Sequence, residues 1–122
     1  MFLIWKNFCN LLRRLRRLEA RAAADSTITY VSSNYLVQDT DSTIVADSSG
    51  GSILLTLLPA ATIEGKRLTF KRIPSDGNNV DIQTQGGEMI DDSPDYTLVN
   101  DWQTVTLRAT STMFIITASA GA

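Results

Sequence analysis

DSTIVADSSGGSILLTLLPAA, residues 41–61, places two short apolar runs on either side of a small-residue turn. Thr43–Ala46 and Ile53–Leu58 are rich in β-branched and aliphatic side chains, and Ser48-Ser49-Gly50-Gly51 between them has turn composition. The second run, Ile53-Leu54-Leu55-Thr56-Leu57-Leu58, lacks the polar alternate positions of a strand with one wet face. A strand apolar on both faces is covered on both sides. A domain of roughly 100 residues has little second layer to spare for that. The spacing therefore predicts that Leu54 and Leu58 meet a neighbouring copy of the chain.

The same grammar extends in both directions. Strands are predicted near Thr27–Val31, Tyr35–Gln38, Arg67–Ile73, Val80–Gln83, Tyr96–Val99, Thr104–Arg108 and Met113–Thr117. Turn signals separate them at Pro74-Ser75-Asp76-Gly77-Asn78, Gln85-Gly86-Gly87 and Asp92-Ser93-Pro94-Asp95. Leu68 and Phe70 oppose Arg67, Thr69 and Lys71, and Val105 and Leu107 oppose Thr104, Thr106 and Arg108, so one face of each strand belongs to a core. Short strands at this spacing leave no room for a βαβ crossover. They imply a mainly β domain over residues 25–122, an antiparallel sandwich, barrel or prism.

Residues 1–24 differ in kind. No Gly or Pro interrupts them, and Leu, Arg, Ala, Glu and Lys dominate. Ile4, Phe8, Leu11, Leu15, Leu18 and Ala22 recur at alternating spacings of four and three, which makes Phe8, Leu15 and Ala22 heptad position a and Ile4, Leu11 and Leu18 position d. Arg13, Arg14, Arg16, Arg17 and Arg21 all fall off that seam, and Arg14 at g faces Glu19 at the following e. This predicts a short helical coiled-coil stem, marginal alone in water; an amphipathic helix packed on its own domain and a membrane-surface helix are the alternatives the same pattern allows. Met1, Phe2, Leu3, Ile4 and Trp5 are too apolar for a solvated helix tip and, with Phe8, form a candidate docking patch. Arg13, Arg14, Arg16 and Arg17 would grip an acidic rim around the partner's pocket.

Charge divides along the same boundary. The net charge of −2 conceals +5 on residues 1–24 and −7 on the remainder. The acidic part would repel a phosphate backbone, so nucleic acid is not an expected partner. Histidine is absent and Cys9 is the single cysteine. Imidazole bases, Ser-His-Asp triads, Cys-His pairs and an intrachain disulfide are therefore excluded. No apolar run reaches the ~20 residues that span a bilayer. The arginines follow the apolar opening instead of preceding it, which is the wrong order for an export signal.

Two acidic groupings, Glu88-Asp91-Asp92-Asp95 and Asp39-Asp41, match no calcium-loop spacing and read as turn chemistry. Trp102, after Asn100-Asp101 at a strand start, reads as a core or interface anchor. No catalytic residue, metal ligand or cofactor is expected.

From Asp41 onward the chain resembles a β-module of bacteriophage tail fibres, head fibres and capsid decoration proteins. DSTIVADSSGGSILLTLLPAA (41–61) is similar to its opening strand, Gly turn and apolar strand closed by Pro-Ala. EGKRLTFKRIPSDGNNVDIQ (64–83) is similar to its Gly-Lys hairpin and Asn-containing turn. EMIDDSPDYTLVNDWQTVTLRA (88–109) is similar to its Ile-Asp, Tyr-x-Leu and Val-Thr-Leu strands. Family members often carry an Asp-Gly-Thr-Asn turn before the last strand. Here Ser111-Thr112-Met113-Phe114-Ile115-Ile116 keeps the apolar character without that turn. The resemblance implies a non-enzymatic homotrimer on the outer surface of a virion, made in the host cytoplasm. Its N-terminus would be held by a capsid or other virion protein. The short chain suits a small knob, and loops 74–79 and 91–95 are the places where a host-surface glycan or protein would be met.

Overall fold

The computed structural model describes residues 27–74 and 77–121. The predicted stem, with its docking residues from Met1 to Arg17 and its seam from Ile4 to Ala22, lies outside the described residues. Among those described, nine strands form: β1 (Ile28–Val31), β2 (Tyr35–Leu36), β3 (Thr43–Ala46), β4 (Ile53–Thr56), β5 (Arg67–Arg72), β6 (Val80–Gln83), β7 (Asp95–Leu98), β8 (Thr104–Ala109) and β9 (Phe114–Ala120). All nine coincide with the runs read from β-branched alternation, and one 3-10 turn, Ala60–Ile63, joins β4 to β5. The domain is mainly β.

The pairing is not the expected antiparallel one. The chain alternates between two sheets, ordered β1-β3-β5-β8-β9 and β2-β4-β6-β7. β1, β3 and β5 are parallel neighbours, as are β2, β4 and β6. Only β5–β8, β8–β9 and β6–β7 are antiparallel. Parallel neighbours need a long crossover, usually helical. Here the crossover is a strand in the opposite sheet, so the first six strands wind as a flattened coil. The Gly50-Gly51 and Gly65-Lys66 stretches are thus bends from one sheet to the other, not hairpins. Gly65 turns with φ +83, a left-handed angle that suits glycine.

Turns of successive coils stack. Ser48 Oγ donates to the Asn78 carbonyl at 3.0 Å, and Asn78 Nδ2 returns a bond to the Ser48 carbonyl at 2.8 Å. The last hairpin, β8–β9, closes on the Thr110 side chain. Thr110 Oγ1 accepts from the Thr112 and Met113 amides, and the Thr110 amide donates to the Met113 carbonyl.

One core fills the space between the sheets. Ile44, Ala46, Leu68, Phe70, Val105, Leu107 and Phe114 come from the first sheet, and Ile53, Leu55, Val80, Ile82 and Leu98 from the second. Burial follows the period of two along β3, β5 and β8 without exception. That alternation also fixes which side chains are left outside.

Candidate functional site

The outer face of the first sheet is laid out by register. Tyr30, Val45, Lys71, Thr104 and Ala120 form one row, and Ile28, Thr43, Thr69, Thr106 and Ala118 the next. Arg67 and Arg108 face each other directly across β5 and β8, and both are exposed. Tyr30 is 76% exposed and Ile28 is 56% exposed, on the strand that forms the open edge of this sheet. Thr69 and Thr106 share a hydroxyl hydrogen bond at 3.1 Å. The strands of this face carry three cations, Arg67, Lys71 and Arg108, and no carboxylate. Asp47, just past β3 in the Tyr30 row's direction, is turned to its own loop and accepts from the Ser49 amide at 3.0 Å.

The second sheet presents the opposite chemistry. Leu54, Asp81 and Thr97 form one outer row, and Leu36, Thr56, Gln83 and Asp95 the next. Asp81 Oδ1 accepts from the Thr97 hydroxyl at 3.1 Å, and Oδ2 from Gln83 Nε2 at 2.7 Å. Asp95 lies diagonally across from Asp81. A hydrogen bond shared with Asp81, and then that neighbour's negative charge, hold the Asp95 carboxyl above its ordinary range. Leu36 and Val99 are exposed at the margins of this face.

Of the residues read from the sequence as meeting a second copy, Leu54 is half-buried on this outer face, in register with Asp81. Leu58 lies past the end of β4 and packs in part against the chain's own core. The inner positions of the same run, Ile53, Leu55 and Leu57, are buried.

The acidic groupings dissolve into separate tasks. Asp41 is buried, and its carboxylate accepts from the Thr29 hydroxyl, the Tyr35 hydroxyl and the Gln38 amide at 2.7, 2.7 and 2.8 Å. Asp91 Oδ1 accepts from the Ile116 amide, capping the edge of β9. Glu88 Oε2 accepts from the Ala60 amide at the start of the 3-10 turn. Asp95 keeps a long contact to Ser93 and also meets Asp81, a partner fourteen positions away that only the β6–β7 pairing reveals.

Trp102 is not a core anchor. It is 57% exposed and sits at φ +62, an uncommon angle for a bulky side chain. The turn that imposes this angle is well tied: Gln103 Oε1 accepts from the Val99 and Asn100 amides, and the Trp102 amide donates to the Arg72 carbonyl. Lys71 Nζ lies 5.4 Å from the Trp102 ring centroid, within cation–π range.

Arg72 was not singled out by the sequence reading, although parity places it on the Leu68–Phe70 face. It is 1% exposed, donates from Nε to the Asn78 carbonyl and pairs through Nη1 with Asp101, both at 3.0 Å. It ties the loop at Asn78 to the loop at Asp101 at one end of the core.

Comparison with known protein families finds no family model that matches this chain, and no curated protein matches it.

Proposed function

We propose that the chain is a non-enzymatic structural protein of a bacteriophage virion. In this reading it is a homotrimer whose β-domain projects outward as a fibre knob or capsid decoration. Residues 1–24 form the coiled-coil stem and dock into the shell. The observation that carries the reading is that both outer sheet faces present large apolar side chains among their charged and polar ones, Ile28 and Tyr30 on one and Leu36, Leu54 and Val99 on the other. Side chains of this kind on both sides of so thin a domain favour coverage by further chains. The resemblance of 41–61, 64–83 and 88–109 to fibre modules supplies the virion context. Removing residues 1–8 is expected to abolish co-sedimentation with the virion shell while the melting of the β-domain stays unchanged. Shell binding at undiminished strength after that truncation refutes the docking.

Trp102 favours a second reading, a receptor-binding module. A bulky ring held outward at a left-handed backbone angle, beside a lysine, has the form of a stacking platform, and such strain tends to collect where ligands bind. Loops 74–79 and 91–95 would add contacts to a host glycan or protein. A glycan array probed with the full chain tests it: a specific signal lost in Trp102→Ala is the expected result. Because the ring is mostly in solvent, that substitution should change stability by less than about 1 kcal/mol. An array without any signal removes the glycan form of this reading.

A further inference from the structure

We infer that copies of this chain associate face to back, the basic outer face of the first sheet resting on the acidic outer face of the second sheet of the next copy. This rests on the self-association proposed above and specifies which surfaces meet.

The inference starts from two pairs of like charges built into one small domain. Arg67 and Arg108 are direct cross-strand partners on β5 and β8. Like charges placed opposite each other destabilise a sheet. Among the described residues, no ion pair involves either of them. On the other sheet, Asp81 and Asp95 crowd one another on β6 and β7, and the strands of that face offer them no cation. Each pair is unfavourable within its own chain. Each is also what the other requires across an interface.

The uncharged residues agree with that match. The basic face adds Ile28, Tyr30, Thr43 and Val45, and the acidic face adds Leu36, Leu54, Thr56 and Val99. Symmetric pairing is disfavoured by charge. First sheet on first sheet would oppose three cations to three, and second on second would bring four carboxylates together. Only the unlike contact neutralises both. Such an interface is heterologous, and it closes into a ring when the rotation between copies permits.

The test uses the full chain and three variants: Arg67→Glu/Arg108→Glu, Asp81→Lys/Asp95→Lys, and all four changes together. Sedimentation velocity is expected to show self-association weakened by about tenfold or more in each double variant. The fourfold variant, with both faces inverted, should self-associate again. Differently tagged fourfold and unaltered chains, co-expressed, should sort into separate assemblies. All four positions point outward, and a thermal melt checks that each variant remains folded. Free mixing of the fourfold variant with the unaltered chain overturns the inference while leaving self-association standing. Weakening by the aspartate changes alone, with the arginine variant unaffected, also overturns it: that pattern puts the chain's own basic residues 1–24 on the acidic face. An unaltered chain that stays monomeric removes the self-association on which the inference rests.

Discussion

Replacing Arg72 by alanine is expected to lower the stability of the β-domain by about 3 kcal/mol, a fall in Tm of roughly 10–20 °C. The side chain is almost wholly inside, at the end of β5 where the turns around Ser48, Asn78 and Asp101 converge. Truncation removes the Nε donor from the Asn78 carbonyl, breaks the tie to Asp101 and leaves a void where the long stem packed. Asp101 itself is 60% exposed and regains water readily, so the loss resides in the packing and the buried hydrogen bonds. Lysine should rescue little, because a point charge cannot reproduce the guanidinium fork. Arg72→Met, which preserves the packing of the stem, is expected to recover part of the loss. Thermal melts of the three variants measure all of this. A melt for Arg72→Ala within 2–3 °C of the parent, on the order of a surface change, would show that the residue ties nothing together.

Asp41→Ala is expected to have a comparable cost, also about 3 kcal/mol, since it removes a buried carboxylate that accepts three hydrogen bonds and ties β1, β2 and the turn at Gln38 together. It also carries a spectroscopic signature. Burial first, then the hydrogen bond to Asp41 and its charge, push the Tyr35 hydroxyl from 10.0 up to about 12. In the folded chain the proton is therefore held to higher pH than in the unfolded chain. The stability Tyr35 contributes is complete below pH 10 and drains away as pH rises through 12. Asp41→Asn removes the charge and weakens the hydrogen bond but leaves the burial. Its phenolate absorbance should appear earlier, between 10 and 12, and the alkaline loss of stability should span a narrower window. A tyrosine titration unmoved by that substitution would separate Tyr35 from Asp41.

The positions of the strands were legible because β-branched runs and small-residue turns are local signals. The choice of partner was not. Thr43–Ala46 and Ile53–Thr56 flank a Ser-Gly turn that would serve a hairpin equally well. Whether the chain folds back or crosses to a second sheet depends on stacking contacts such as Ser48 with Asn78, thirty positions apart. Inner and outer faces followed the period of two, which could also have placed Arg72 inside with Leu68 and Phe70. Trp102 escaped because a positive φ takes it out of the alternation altogether. The acidic residues, read as turn chemistry, do serve backbone amides, but their sequence neighbourhood does not show which ones. Glu88, Asp91 and Asp95 each serve a different part of the structure, whereas Asp95 meets Asp81 only through the β6–β7 register. The aliphatic run at 53–58 was read well at its inner positions, and its outer leucine, Leu54, lies where a second chain could reach it.

On the proposed function this domain is one part of an assembly of identical chains. Both of its sheets present apolar and charged surface that its own core does not absorb. The mass of the intact chain in solution, followed by native mass spectrometry and sedimentation equilibrium across a wide concentration range, tests it most directly. A species of three chains that persists on dilution is the expected result. A compact single chain, soluble and unassociated at high concentration, would contradict the account.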